Sequence, residues 1–99
     1  MGVKIIWSPG AKKSFEELVS FLEKKWDKKV IQNLFLELNK SLDHISLNPE
    51  IFPIVSNTKK LRKCVIKKRT LLLYRIKSKD SIELVIFADT RQNPKKYDI

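Results

Sequence analysis

Hydrophobic positions change their period near residue 50. Before it, Ala11, Phe15, Leu18, Val19, Leu22 and Trp26 recur at steps of three and four residues. Val30, Ile31, Leu34, Phe35, Leu38, Leu42 and Ile45 continue the same spacing. Each set forms one stripe of an amphipathic helix. Lys12, Lys13, Glu16, Glu17, Glu23 and Lys24 fill the polar side of the first. Ser8-Pro9 supplies a capping hydroxyl and a proline suited to an opening helical turn. Asp27 is placed to cap the second helix, and Asn48-Pro49 ends it, because the residue before proline is pushed out of the helical region. With so short a link, the two helices should pack as an antiparallel hairpin. Ahead of them, Val3–Trp7 is a short apolar run with β-branched members, and reads as a strand.

After Pro49 the helical period stops. Residues 49–60 (PEIFPIVSNTKK) read as a connecting loop, with Ile51, Phe52 and Ile54 turned back onto the core. Three strand-like runs follow, about Leu61–Lys67, Leu71–Lys77 and Ile82–Ala88, with breaks short enough for hairpins. In the middle run Leu72, Tyr74 and Ile76 share one face, and Leu71, Leu73, Arg75 and Lys77 the other. The last run is apolar on both faces and suits an interior strand. The expected fold is therefore α+β: one domain over residues 1–99, in the order β-α-α-β-β-β, with a helical hairpin laid on one face of an antiparallel meander. The pattern leaves open which strand the first one joins.

Composition narrows the class. With 99 residues, 42% hydrophobic and 32% charged, the chain suits one folded domain and is too apolar for disorder. Its apolar runs fall far short of a membrane span, and MGVKIIWSP lacks the features of a signal peptide. A single cysteine, Cys64, makes no internal disulfide and fits a reducing cytoplasm. One Cys and one His, His44, supply too few soft ligands for a zinc or iron–sulfur site, so no metal or cofactor is expected.

Charge adds the functional signal. The net charge is +10, and residues 51–99 hold thirteen Lys or Arg against four Asp or Glu, whereas the first fifty residues hold eight against seven. A positive excess confined to one half points to an anionic partner rather than to solubility alone. Arg62, Lys63, Lys67, Lys68, Arg69, Arg75, Lys77 and Arg91 are the candidates for a phosphate- or target-binding surface. In the tail RQNPKKY, Tyr97 sits beside several cations that favour its ionised form, which makes it a candidate proton-transfer group. Trp7 and Trp26 read as packing anchors, Cys64 as a core residue and His44 as a surface or packing residue.

The order of elements, the LRKCVIKKRTLLLYRI stretch and the closing DTRQNPKKY resemble the RelE/ParE superfamily of toxins from bacterial type II toxin–antitoxin pairs. That resemblance implies a cytoplasmic, growth-inhibiting toxin neutralised by a cognate antitoxin, as a homodimer or as a toxin–antitoxin hetero-oligomer. Two mechanisms follow from it. RelE-like toxins are ribosome-dependent mRNA endonucleases, and Arg91 and Tyr97 match their C-terminal catalytic pair in spacing. ParE-like toxins poison DNA gyrase without cutting RNA. Leu71 stands where the RelE branch places a further arginine, with Arg69 close by, and the LR-to-LYR segment is more similar to the ParE branch. The expectation is thus a ParE-like toxin, with an endoribonuclease as the alternative and a non-toxic nucleic-acid-binding module as a third reading.

Overall fold

A computed structural model describes residues 3–90. The elements run β1 (Lys4–Trp7), α1 (Pro9–Lys25), α2 (Lys28–Leu47), β2 (Ile54–Ser56), β3 (Leu61–Ile66), β4 (Thr70–Ser78) and β5 (Ser81–Asp89). The expected order holds, with one addition. Within the 49–60 connection, Ile54–Ser56 pairs antiparallel with β3 and forms an edge strand. A three-residue strand with a register shift is too short for alternation to reveal it.

The helix boundaries follow from local chemistry. The Ser8 hydroxyl accepts from the Ala11 N–H at 3.0 Å and donates to the Val85 carbonyl at 3.1 Å. One side chain thereby caps α1 and fastens it to β5. A Cβ added at Gly10 would lie 3.2 Å from the same carbonyl, so glycine permits this close approach of helix and strand. Asp27 caps α2, its carboxylate accepting from the N–H groups of Lys29 and Val30 at 3.0 and 3.3 Å.

The sheet order is β1-β5-β4-β3-β2. Strands β2 to β5 form the meander, and β1 joins β5 in parallel, which makes β5 interior as its two apolar faces require. Parallel pairing needs a long crossover, and the helical hairpin begins that excursion. Ser46, near the end of α2, holds β1 in place: its carbonyl accepts from Val3 N–H at 3.0 Å and its hydroxyl donates to the Val3 carbonyl at 3.1 Å.

The main core lies between helices and sheet. Ala11, Leu18, Leu22, Leu34, Leu38 and Ile45 meet Cys64, Ile66, Leu72, Tyr74, Ile82, Leu84 and Phe87. Trp7 stacks on Phe87 at 5.3 Å and meets the edge of Phe15 at 5.5 Å. A bulge makes this packing work. Leu73 pairs with Ile86 but Tyr74 with Leu84, so β5 carries one extra residue, Val85. The bulge puts Leu84 and Phe87, three apart, on the same helix-facing side. Ser14 of α1 reaches across to accept from the Phe87 N–H at 2.9 Å. On the opposite face, Leu61, Leu71, Leu73 and Ala88 form a second cluster, flanked by Val85 and Ile86.

Three packing expectations are corrected. Trp7 is a core anchor, but Trp26 is the C-terminal cap of α1 and stays 38% exposed, because the helix has by then run past the sheet. In the connection, only Phe52 turns onto the core, edge-on to Tyr74 at 6.4 Å; Ile51 and Ile54 remain exposed. Ile54 lies on the short edge strand β2, where one side of the ladder is open to solvent.

Candidate functional site

Strand alternation divides the candidate cations. Arg62 and Lys63 are neighbours on β3 and so point to opposite faces. Arg62 shares the helix side with Cys64 and Ile66, where its Nη1 donates to the carbonyls of Phe52 at 2.7 Å and Glu50 at 3.2 Å. The Tyr74 hydroxyl donates to the Pro49 carbonyl at 2.8 Å. Two buried-side donors therefore tie residues 49–52 to the sheet. Lys63 is exposed on the other face, opposite Leu73 in the ladder.

On that open face, Arg75 stands across from Glu83, and its Nε and Nη2 both reach Glu83 Oε1 at 2.7 Å. Its charge is thus largely compensated. Lys77 lies two residues on and is exposed. Lys63 and Arg75 share this face with the second apolar cluster, and Lys77 falls in a register shift of β4, so the surface is apolar with a cationic margin rather than cation-covered.

Lys67, Lys68 and Arg69 form the β3–β4 turn at one end of the sheet. Lys67 and Lys68 both take positive φ, 54° and 65°, and the turn closes by Arg69 N–H donating to the Ile66 carbonyl at 3.3 Å. Thr90 pins it from the end of β5, its N–H donating to the Arg69 carbonyl at 2.7 Å and its hydroxyl to that of Lys68 at 2.9 Å. The Arg69 guanidinium lies 4.9 Å from the centre of the Trp26 ring, a cation–π contact that joins this turn to the end of the helical hairpin. A pocket of about 180 Å³ opens beside it, lined by Leu22, Val30, Asn33, Leu34, Lys67, Arg69 and Thr70.

The contact brings four further lysines into view. Lys24 and Lys25 close α1, and Lys28 and Lys29 open α2, on either side of Trp26-Asp27. Sequence reasoning assigned them to a charge-balanced half. The KKWDKK run was the available signal, but only the hairpin's docking carries it to the Lys67–Arg69 turn. Arg91 and Tyr97, the candidate catalytic pair, lie outside the described residues.

Other reactive groups have structural surroundings. Burial pushes the Cys64 thiol up from its ordinary value of 9.0, partly offset by a hydrogen bond with Ser41, which suits packing rather than nucleophilic attack. Burial likewise raises the Tyr74 phenol above 10.0, against the opposing pull of its hydrogen bonding and of Arg62. His44 is exposed, and among the described residues no group of three or more His, Cys, Asp or Glu is arranged to hold a metal ion. No described helix is long and apolar enough to cross a membrane.

Comparison with known proteins decides the family. Residues 5–94 match the model for the ParE toxin of the type II toxin–antitoxin system, parDE. The chain belongs to the ParE toxin family. As a ParE-family toxin it is one half of a type II toxin–antitoxin pair, which implies a cognate antitoxin. Its fold is similar to the solution structure of the conserved hypothetical protein HP0894 from Helicobacter pylori, with a TM-score of 0.58 and 26% identity, over 89% of this chain and 94% of that one. No curated protein matches the sequence.

Proposed function

We propose that this ParE-family toxin arrests growth by acting on DNA gyrase in the cytoplasm, as a binding protein rather than a nuclease, and that its antitoxin blocks that contact. The observation that carries the choice between binding and cleavage is what the arginines of the sheet already hold. Cleavage through a ribose hydroxyl needs an acid, a base and cations placed over the phosphate. Here Arg62 is committed to two loop carbonyls and Arg75 to Glu83. The described part of the sheet therefore offers an apolar face with cations at its margin, which supports recognition of a protein surface. Phe21, Phe35 and Leu36 stand exposed on the helices and give the antitoxin apolar footing away from that face.

Controlled expression tests the reading, with DNA breaks and ribosome-bound mRNA ends followed separately. Gyrase-linked DNA breaks with intact mRNA are expected, and so is relief by the antitoxin. Replacing Tyr97 with Phe should leave toxicity in place, because binding does not use its proton. Cleaved mRNA over intact DNA, abolished by Tyr97→Phe, would overturn the proposal in favour of a RelE-like nuclease.

A further inference from the structure

At one end of the molecule two sets of cations meet. The β3–β4 turn contributes Lys67, Lys68 and Arg69, and the Arg69–Trp26 contact sets it against the interhelical turn bearing Lys24, Lys25, Lys28 and Lys29. The two ion pairs found among the described residues, Lys40–Glu37 and Arg75–Glu83, both lie elsewhere.

Lys24 and Lys25, in the last turn of α1, sit where the helix field favours cations, but local structure is worse for the other four lysines being where they are. Lys67 and Lys68 occupy left-handed backbone positions that Asn and Gly fill with less strain. Lys28 and Lys29 stand in the first turn of α2, where the field of the helix disfavours cations, and the Asp27 cap just ahead of them is a single carboxylate against two lysines. Lysines gathered together also repel one another. Three separate penalties fall on one end of a small domain, which is where a functional demand overrides local preference. The turn is also held rigid, since Thr90 bonds to the carbonyls of both Lys68 and Arg69.

We propose that this end of the toxin is a docking surface for the phosphate backbone of double-stranded DNA. An anionic polymer relieves the repulsion and releases counterions for each phosphate met by a lysine. Six of the seven cations are lysines, which act as point charges on phosphates rather than as forked readers of bases. Single strands are held by open aromatic platforms. Trp26, the aromatic ring in the interhelical turn, has Arg69 over it. The competing occupant is an acidic peptide seated in the adjacent pocket. Of the seven cations only Lys67 and Arg69 line that pocket, so a peptide confined to it would leave most of the charge unmet. The proposal goes beyond gyrase targeting and does not depend on it, since the surface is read on free DNA.

The test is a pair of double variants of the purified full chain, free of antitoxin. K67N/K68G removes two charges while installing the residue pair this turn geometry prefers, so the fold is kept or improved. K12Q/K13Q removes the same charge from the other end of α1. Binding to a short labelled DNA duplex is read by fluorescence anisotropy between about 50 and 200 mM salt. The wild-type chain should bind with a steep salt dependence. K67N/K68G should reduce the slope of log affinity against log salt by about 2, with an unchanged or higher melting temperature. K12Q/K13Q should leave the slope near wild type. Equal losses in both variants would reduce the effect to net charge and overturn the proposal. So would an unchanged slope in K67N/K68G, or preferential capture of a polyglutamate peptide over the duplex. None of these readouts involves gyrase, so they stand apart from failure of the toxic mechanism.

Discussion

Arg62→Met distinguishes a residue that holds the fold from one that grips a target. The guanidinium bonds the Phe52 carbonyl at 2.7 Å in a half-buried setting and the Glu50 carbonyl at 3.2 Å in an exposed one. Hydrogen bonds to charged groups contribute roughly 1.5–3 kcal/mol each. Water replaces the exposed bond at little loss, so the half-buried one sets the effect at about 1.5–3 kcal/mol. Methionine keeps the packing of the aliphatic stem, which confines the change to the lost bonds. For a domain of this size, about 4–8 °C per kcal/mol turns that into a fall of about 6–24 °C in melting temperature. Lys63→Met, one residue along on the open face, should stay within about 0.5 kcal/mol of wild type. Tyr74→Phe removes the other tether, the 2.8 Å bond to the Pro49 carbonyl. Both tethers hold residues 49–52, so losing the first frees the loop and the double variant should lose less than the sum by more than about 0.5 kcal/mol. Thermal denaturation by circular dichroism measures the four variants against wild type. If Arg62→Met melts with wild type yet loses its antitoxin or its toxicity, the structural role given to Arg62 is wrong and the side chain works at a partner.

Alkaline conditions should destabilise the toxin through Cys64 and Tyr74. Both are neutral when protonated, and burial raises both above their ordinary values of 9.0 and 10.0. Above those values the unfolded chain loses protons that the folded chain keeps, so stability falls as pH rises. Melting curves from about pH 7 to about pH 11 should be flat at first and then decline from about pH 9, and Cys64→Ala with Tyr74→Phe should flatten the decline. Ser14→Ala should cost about 1–3 kcal/mol in urea denaturation, because the Phe87 N–H beside the β5 bulge loses its acceptor. A midpoint equal to wild type would mean that the strand re-pairs without it.

What local sequence settles here is what depends on near neighbours. The three- and four-residue steps mark the buried stripes of α1 and α2, and Ser8, Asp27 and Asn48-Pro49 mark their ends, because capping and the proline clash act within a few residues. Alternation in Leu71–Lys77 separates Leu72 and Tyr74 from Leu71 and Leu73, which the structure sends to two different apolar clusters. Family membership was legible too, since the run from Leu61 to Ile76 and the closing segment carry it. Contacts between distant segments decided the rest. Nothing near Lys4–Trp7 specifies β5 as its partner, because that pairing depends on where the helical hairpin returns and on Ser46 meeting Val3. Nothing near Trp26 predicts that Arg69 lies over its ring, or that KKWDKK joins the Lys67–Arg69 turn. A count of charge along the chain put the cations in one half. Pleating then divided Arg62 from Lys63, a carboxylate across the ladder compensated Arg75, and helix docking set lysines of the first half beside the Lys67–Arg69 turn of the second. Periodicity encodes which side of an element is apolar, but where its polar side ends up depends on contacts made across the whole chain.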